Sequence, residues 1–462
     1  MTALVTTAIR GFRGDVITQD HDRYDEARAV WNGIVDRRPR LIARCTSTAD
    51  IAAAVRFARD RDLEIAVRGG GHNVAGTAVC DGGIVIDLSA MNRVSVDAAA
   101  RRARVQGGAA WRDVDGATQQ HDLATTGGIV SHTGVGGLTL GGGLGWLMRE
   151  HGLTVDNVVE AEVVTADGDV IRASPNDHPN LFWALRGGGG NFGVVSSFTF
   201  RLHPVGPTVL AGPVFWAADD AADVLRFYRA FAAAAPDELG TIVRLGTIPP
   251  LPAIDAGLHF RPAIGVINCY AGAIDEGEAA LRPLREFGSP LVDLVGPGLY
   301  VDHQRSADDT VPHGWHYYWK ATNLHAMSDE TIDVVASHAF EAKSARSYSL
   351  LFHMGGAVAR VPAESTAYAG RDAQHNVIID AVWRPEDGAG LAAAETAWAR
   401  SFYDALQPHA AGVYVNFLDA DDGAPRVRDA YGDETYRRLA DVKATYDPAN
   451  VFHHNKNIEP RA

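Results

Sequence analysis

The sequence predicts an α+β fold of two parts, a glycine-rich amino-terminal part and a second part with an antiparallel sheet covered on one side by helices. Three observations carry this prediction. Short apolar segments alternate with amphipathic segments along the 462 residues, three glycine-dense blocks precede residue 194, and the composition changes at Pro204 and Pro207. The length alone favours two or three domains.

The amino-terminal elements follow from periodicity and turn residues. Residues 25–32 and 50–60 have helical spacing, with Ser47 and Thr48 as candidate caps of the second helix. Segments 64–67, 83–88, 94–96 and 103–105 are predicted strands, residues 111–121 a helix, and residues 160–171 a hairpin that turns at Asp167 and Gly168. Residues 194–202 alternate, which predicts a half-exposed strand.

The second part has its own pattern of helices and strands. Residues 221–234, 329–342 and 390–406 are predicted helices, and residues 266–270, 348–354 and 376–383 are predicted strands. A further helix is predicted at 434–446, before a turn. We expect residues 1–205, completed by 415–462, to form one domain and residues 206–414 to form the other.

Composition argues against several classes of function. The formal net charge of −15 opposes binding to nucleic acid or to an anionic membrane. There is no run of eighteen apolar residues, and the first sixteen residues lack the pattern of a signal peptide. The cysteines Cys45, Cys80 and Cys269 have no metal-binding spacing, which favours buried thiols in a cytoplasmic protein. We expect no metal site; the oligomeric state stays open.

Glycine is concentrated in three blocks, VRGGGHN at 67–73, TGVGGLTLGGGLG at 133–145 and RGGGGNFG at 186–193. Glycine lets the backbone approach a ligand closely, and the first block places His72 directly after three glycines. A dinucleotide-binding GxGxxG unit and a phosphate loop are both absent. The blocks therefore predict a backbone cradle for a large phosphate-bearing cofactor, with tight turns as the simpler alternative.

Five motifs in chain order extend this interpretation: RGGGHNVAG, CDGGIVIDLSAMNRV, SHTGVGGLTLGGGLGWLMREHGLTVDNV, HPNLFWALRGGGGNFGVV and YDPANVFHHNKNI. Together they resemble the berberine-bridge-enzyme-like FAD-linked oxidases of the vanillyl-alcohol oxidase superfamily, most closely the bacterial members with a single covalent flavin link. The resemblance implies a PCMH-type FAD-binding domain of two α/β subdomains and a separate substrate domain. It also implies FAD as cofactor, with a small-molecule substrate and O2 as partners.

The resemblance assigns residues to the cofactor. In the family, the histidine after the glycine triplet bonds the flavin 8α-methyl group, which implies a covalent link through His72. Val130 takes the position from which a cysteine forms a second link in some members, so one link is expected. Lys456 stands where relatives often have glutamine, and a cation there would stabilise reduced flavin. The other implied FAD contacts are Arg68, Gly69, Gly70, Gly71, Asn73, His132, Thr133, Gly134, Gly136, Gly137, Trp146, Asn416 and Asn455, with Gly141, Gly142, Gly143, Gly145, Val194 and Val195 beside the ADP part.

Five residues are candidates for catalysis. Tyr414 and Asn416 form the Tyr-x-Asn motif that relatives return to the flavin, and Tyr414 would act as base on the substrate or orient it. Thr133 matches a position over the reactive flavin face, where a small side chain leaves room for O2. Lys320 matches a lysine near the flavin in relatives, with a surface lysine as alternative. His353 is a candidate acid or base, with a core histidine as alternative.

These residues predict an FAD-dependent oxidase that removes a hydride from a C–H bond beside a hydroxyl or amine and forms hydrogen peroxide from O2. One alternative is a flavin-N5-oxide monooxygenase of secondary metabolism. The sequence around His132 favours it, and Leu350 opposes it, because relatives with that chemistry carry a glutamate there. The second alternative is a flavin-binding protein without turnover. Trp319 and Phe352 hint at an aromatic or alicyclic substrate.

Overall fold

The structure, a computed structural model, describes residues 8–461. Part of the amino-terminal segment that was compared with a signal peptide, residues 1–7, lies outside the described residues. Among those described, no helix is both long and apolar enough to cross a membrane.

Strands and helices alternate along the chain. The strands are β1 (Asp15–Thr18), β2 (Leu41–Arg44), β3 (Ile65–Arg68), β4 (Ile84–Asp87), β5 (Val94–Asp97), β6 (Arg102–Gln106), β7 (Leu123–Ala124), β8 (Val158–Val164), β9 (Val170–Ala173), β10 (Val194–Arg201), β11 (His203–Pro204), β12 (Thr208–Ala217), β13 (Leu239–Thr247), β14 (Pro262–Tyr270), β15 (Val292–Asp293), β16 (Gly296–Leu299), β17 (His316–Leu324), β18 (Tyr348–His353) and β19 (His375–Trp383). The α-helices are α1 (Tyr24–Arg28), α2 (Thr48–Arg59), α3 (Trp111–Thr118), α4 (Val135–Gly141), α5 (Met148–His151), α6 (Pro179–Leu185), α7 (Ala221–Ala234), α8 (Ile274–Arg285), α9 (Tyr300–Arg305), α10 (Asp329–His338), α11 (Ala357–Arg360), α12 (Gly388–Leu406), α13 (Ala424–Asp429) and α14 (Gly432–Tyr446).

Two sheets form the amino-terminal part. The first has the order β1-β2-β4-β3 with β2, β4 and β3 parallel, and the second has the antiparallel order β5-β6-β10-β8-β9. Ser47 caps α2 by accepting a hydrogen bond from the backbone N–H of Asp50 at 3.3 Å, as predicted. Leu439 and Val442 of α14 join the same hydrophobic core as Trp183 of α6, so the carboxy-terminal segment packs with the amino-terminal sheets.

An antiparallel eight-stranded sheet forms the second part, in the order β15-β12-β14-β13-β18-β19-β17 with β16 beside β12. On one face, helices α7, α10 and α12 bury side chains such as Tyr228 and Phe402 against the strands. The opposite face carries Ile242, Phe352 and Ile378 and turns toward the glycine blocks. The predicted α+β class, with an antiparallel sheet covered on one side by helices, is confirmed.

The half exposure predicted for residues 194–202 is wrong. Strand β10 is the central strand of the five-stranded sheet, and all of its residues are buried except Thr199 and Arg201. The polar residues that produced the alternation are satisfied inside the protein: the Ser196 hydroxyl donates to the Glu162 carboxylate at 2.6 Å. A buried polar residue with a hydrogen-bond partner looks the same in sequence as an exposed one.

Helix α1 ends at Arg28, four residues before the end of the predicted helix. Ala29 already has an extended backbone, and the N–H of Trp31 donates to the carbonyl of Gly71 at 3.0 Å. This long-range hydrogen bond draws the chain out of the helix and places Trp31 against the first glycine block. Local helical propensity is overridden by a tertiary contact.

Candidate active site

A cavity of about 460 Å³ lies where the glycine blocks face the eight-stranded sheet. Ligand-binding sites commonly have volumes of about 300–1,000 Å³. We call its two walls the glycine half and the sheet half. The glycine half contains Gly69, Gly70, Gly71, His72, Asn73, Gly107, Val130, Thr133, Gly134, Gly136, Gly137, Gly189, Gly190, Asn191, Gly193, Val194, Val195, Asn455 and Lys456, and the sheet half contains Ile242, Arg244, Trp319, Tyr348, Leu350, Phe352, Ile378 and Asp380.

The first two glycine blocks are in direct backbone contact. A Cβ added to Gly70 would overlap the backbone nitrogen of Gly134, and a Cβ added to Gly134 would overlap that of Gly70. Only glycine allows two backbone segments to approach each other this closely. The loop at the start of the second block has only two residues, because helix α4 begins directly after Gly134. The N–H of Val135, the first residue of α4, donates to the Ala109 carbonyl at 2.8 Å.

Several glycines that were predicted beside the ADP part do not line the cavity. A Cβ on Gly141 would overlap the Asn416 amide, and a Cβ on Gly145 would overlap the carbonyl of Gly127. Protein atoms occupy the space that these glycines leave free, so their role is packing behind the cavity wall. For this reason, four residues that were predicted to contact FAD lie outside the cavity lining: Gly141, Gly142, Gly143 and Gly145.

His72 lies in a column of stacked aromatic rings. Its ring centroid is 4.3 Å from that of Trp31, which stacks in turn on Tyr317 at 3.8 Å. The His72 Nε2 is 2.9 Å from the His132 Nδ1. Burial, followed by the nearby His132 and His313, lowers the pKa of His72 well below its usual value. The imidazole is therefore neutral at neutral pH, as a nitrogen nucleophile must be.

Polar atoms at the carboxy-terminal edge of the glycine half fit a bound cofactor. The Asn455 Nδ2 donates to the carbonyls of Gly190 and Phe452, each at 3.1 Å, and its Oδ1 is buried with no partner among the described residues. Such an atom normally has a hydrogen-bond donor. The Lys456 Nζ donates to the Asp419 carbonyl at 2.6 Å, and burial lowers its pKa to about 8. Lys456 is thus anchored within the cavity wall.

Tyr414 and Asn416 lie where the two halves meet. The Tyr414 hydroxyl accepts hydrogen bonds from the N–H of Gly143 and from the Asn416 Nδ2, both at 2.7 Å. Burial raises the pKa of Tyr414 above its usual value, and these donors lower it only in part. The hydroxyl therefore keeps its proton at neutral pH, and because both lone pairs accept hydrogen bonds, that proton is free to be donated to a ligand.

The remaining predicted FAD contacts fall into two groups. Thr133, Val130 and Trp146 line the cavity, whereas Arg68 and His132 lie behind its wall. Arg68 is buried, with one hydrogen bond from its Nη1 to the Ala29 carbonyl at 3.2 Å.

All the cysteines are buried, unpaired and outside the cavity lining: Cys45, Cys80 and Cys269.

Lys320 points away from the cavity, which corrects its predicted catalytic role. Successive side chains of a strand face opposite sides, and Trp319 is the residue that lines the cavity. The Lys320 Nζ donates to Asp421 at 2.6 Å and to Asp422 at 3.1 Å. Burial alone would lower the pKa of Lys320, but these ion pairs raise it, so the residue is a permanently charged structural group.

His353 is likewise a core residue, the alternative that the sequence left open. Phe352 lines the cavity, so the next side chain on β18 faces the helices. The His353 Nε2 is 3.0 Å from an Arg149 Nη, and its ring lies edge-on to Tyr228 at 6.4 Å. Burial, with the charge of Arg149, lowers the pKa of His353 to about 2. The predicted acid or base role of His353 is therefore corrected.

The sheet half contains three polar residues that the sequence analysis missed: Arg244 on β13, Tyr348 on β18 and Asp380 on β19. Tyr348 and Asp380 are directly opposite each other in the strand register, and the guanidinium carbon of Arg244 is 3.9 Å from the centre of the Tyr348 ring. Burial raises the pKa of Asp380 to about 8. The sequence does contain a signal that could have identified Arg244 and Asp380. Each is an ionisable residue within an otherwise mostly apolar strand, LGTIVRLGT for Arg244 and HNVIIDAVW for Asp380.

Two domain families match the chain. Residues 39–174 match an FAD binding domain, and residues 413–459 match the family described as berberine and berberine like. The chain is 32% identical over 458 residues to (R)-6-hydroxynicotine oxidase of Paenarthrobacter nicotinovorans, covering 97% of both proteins. It is also 30% identical to an FAD-linked oxidoreductase of Dictyostelium discoideum, covering 99% of this chain and 97% of that protein.

Solved structures agree with these matches. The crystal structure of 6-hydroxy-D-nicotine oxidase from Arthrobacter nicotinovorans superposes with a TM-score of 0.88 at 31% identity, covering 99% of this chain and 100% of the other. A structure of glucooligosaccharide oxidase from Acremonium strictum, described as carrying 6-S-cysteinyl, 8α-N1-histidyl FAD, superposes with a TM-score of 0.86 at 26% identity, covering 97% and 98% of the two chains.

Proposed function

Because this chain belongs to the berberine-bridge-enzyme-like FAD-linked oxidases of the vanillyl-alcohol oxidase superfamily, we propose that it oxidises the C–H bond beside a hydroxyl or amine group of a small organic substrate. In this proposal His72 forms the one covalent bond to FAD, and O2 is reduced to hydrogen peroxide. The observation that carries it is a neutral, half-buried His72 in the cavity lining, beside the meeting of two glycine blocks and facing the sheet half.

A single link through His72 has support from the residues around it. The His72 Nε2 is engaged with His132 at 2.9 Å, which leaves Nδ1 as the nitrogen available for a bond. Val130 occupies the cavity wall where a second link would form, and no cysteine lies in the lining. The glycine half and the unpartnered Oδ1 of Asn455 fit the phosphates and polar ring of FAD.

The residues of this chain would orient the substrate and keep water out. FAD supplies the hydride acceptor when it is bound. The Tyr414 hydroxyl, held by Asn416 and the N–H of Gly143, would orient the substrate oxygen or nitrogen by donating a hydrogen bond to it, and because it keeps its proton it would not act as the base. Thr133 is a small residue of the cavity lining, and in this proposal its size leaves room for O2 at the flavin. Leu350 lines the sheet half at the position where relatives with the monooxygenase chemistry carry a glutamate, which opposes that alternative.

The location and partners of the protein are further parts of this proposal. The unpaired, buried cysteines support a reducing compartment, and we propose the cytoplasm. The partners are the organic substrate and O2.

An anaerobic screen tests this function. Alcohols and amines with aromatic or alicyclic bodies are mixed with the purified protein without O2, and the flavin absorbance is followed. At least one of them is expected to bleach the flavin, and admission of air is expected to restore the colour with one hydrogen peroxide formed per flavin. A protein whose flavin is bleached by none of them would be a flavin-binding protein without this turnover.

Tyr414→Phe is expected to lower kcat by on the order of 10²-fold, because it removes the hydrogen bond that would hold the substrate in the reactive orientation. The flavin content should be unchanged, since the ring still packs in place. Stopped-flow bleaching of the flavin measures the chemical step directly. Tyr368→Phe is the matched control, because Tyr368 packs against Tyr414 at 6.0 Å but lies outside the lining. Equal loss in both variants would contradict a role of the Tyr414 hydroxyl in the reaction.

Gly137→Ala tests whether a ligand fills the glycine half. No protein atom lies within 4 Å of a Cβ added to Gly137, which belongs to α4 and lines the cavity. Alanine should raise the free energy of unfolding of the flavin-free protein by up to about 1 kcal/mol, yet lower the flavin bound per chain. Urea titration and visible absorbance measure the two effects.

Gly116→Ala is the control for that variant. Gly116 is in α3 and equally open, but it does not line the cavity. It should raise stability without changing the flavin content. Full flavin content in Gly137→Ala would mean that no ligand atom approaches Gly137.

A further inference from the structure

The sheet half is an apolar surface with one buried cation. Alternate residues of the strands face the cavity, which brings Ile242, Ile267, Leu350, Phe352 and Ile378 into the lining. Arg244 lies in the same surface, directly opposite Leu350 in the register of β13 and β18. A ligand in this half would therefore meet hydrocarbon on most sides and a guanidinium at one point.

Arg244 has no anionic partner among the residues that the structure describes. It is only 9% exposed, and its Nε is buried without a hydrogen-bond partner among the described residues. Its planar group stacks on the Tyr348 ring at 3.9 Å, which holds it in place without neutralising it. No carboxylate within residues 8–461 forms an ion pair with it, and the nearby Asp380 favours its charge only when that carboxyl is ionised. A buried charge without a partner is costly, so a partner from outside is favoured.

The shape of the guanidinium limits what that partner is. Arginine offers parallel N–H donors that match the two oxygens of a carboxylate. Across from Arg244, the bare backbone of Gly265 faces the Phe215 ring, because a Cβ there would overlap it. Besides the carboxyl of Asp380, the wall around the guanidinium is formed by the Tyr348 ring, the Phe215 ring and aliphatic side chains, which suit an apolar ligand body.

We propose that Arg244 is the carboxylate-binding residue of the substrate site, and that the substrate is an apolar alcohol or amine that also carries a carboxylate. This assignment rests on the proposed function for the oxidation itself. The carboxylate would pair with Arg244, and the rest of the substrate would extend over Leu350 and Phe352 toward Tyr414.

Asp380 sets the pH range in which this pairing operates. The groups that face it are Arg244 from β13, Tyr348 from β18 and Tyr317 from β17. Burial raises the pKa of Asp380 to about 8, so at neutral pH Asp380 is mostly protonated and Arg244 is free for the ligand. Above pH 8 the Asp380 carboxylate forms and competes for Arg244. Carboxylate binding should fall as pH rises through this pKa, by up to tenfold per unit.

Calorimetric titration of the flavin-loaded protein with 3-phenylpropionate and with its neutral amide tests the assignment. At pH 7 the acid should bind on the order of ten- to a hundredfold more tightly than the amide. Arg244→Met should abolish this preference and Arg244→Lys should retain part of it. Arg261→Met, which removes an arginine from an exposed position outside the lining, should leave it unchanged. Asp380→Asn should keep the preference and remove its fall above pH 8.

Two results would overturn the assignment. One is that the wild-type protein binds 3-phenylpropionate and its neutral amide equally well, or binds neither of them. The other is a preference that survives in Arg244→Met, or in Arg244→Gln if the methionine variant does not fold. Because these titrations need no turnover, they are independent of the screen with alcohols and amines, and a failure of the oxidase function would appear only there.

Discussion

His72→Ala is expected to yield a folded protein from which all flavin is released on denaturation. Alanine has no nucleophilic nitrogen, so the bond to the flavin 8α position cannot form. The loss of ring stacking on Trp31, whose centroid is 4.3 Å away, should cost about 0.5–1.5 kcal/mol of stability. Acid precipitation followed by absorbance of pellet and supernatant measures the distribution of flavin.

His313→Ala is the matched control for this variant. His313 faces the His72 ring edge-on at 6.1 Å and makes no hydrogen bond with it. That variant should retain flavin in the pellet as the wild type does. If His72→Ala also retained it, another residue would have to form the link, and the role assigned to His72 would be wrong.

Gly134→Ala is expected to have the largest effect on cofactor binding without touching a proposed catalytic residue. The new Cβ would overlap the backbone nitrogen and Cα of Gly70, so one of the two backbones would have to shift. Forcing the two glycine blocks apart should cost on the order of 1–3 kcal/mol of stability. It should also displace His72 from the wall, so the purified protein should contain little flavin. Thermal unfolding and visible absorbance measure both consequences.

Gly298→Ala provides the comparison. Gly298 is in β16, where an added Cβ meets nothing within 4 Å, and it does not line the cavity. It should leave the flavin content unchanged and should not lower stability, because alanine is at least as stable as glycine within a strand. A Gly134→Ala protein with wild-type stability and full flavin would show that contact between the first two glycine blocks is not required.

The sequence predicted the features that local physics controls. Helix α7 has the predicted bounds, and Ser47 caps α2, because amphipathic spacing and capping depend on neighbouring residues. Residues of all three glycine blocks line the cavity, since a close backbone approach requires glycine, although Gly141, Gly142, Gly143 and Gly145 do not. His72 was found for the same reason: its position follows from its place directly after the triplet.

The features that depend on long-range contacts were missed. Lys320 directly follows Trp319, and His353 directly follows Phe352, but only Trp319 and Phe352 line the cavity. Because successive side chains of a strand point to opposite faces, the register of the strand in the sheet decides which of two neighbours faces the ligand. Gly141 was assigned to the cofactor because a glycine that makes room for Asn416 has the same sequence signature as one that approaches a phosphate. Arg244 and Asp380 come together only through the order of strands in the sheet.

The most direct test of the account is the mass of the wild-type chain measured under denaturing conditions, with peptide mapping of the flavin-bearing fragment. We expect the chain plus one FAD, with the added mass on the peptide that contains His72 and none on the peptide that contains Val130. A chain whose mass equals that of the polypeptide alone, although the native protein is yellow, would contradict the covalent link through His72.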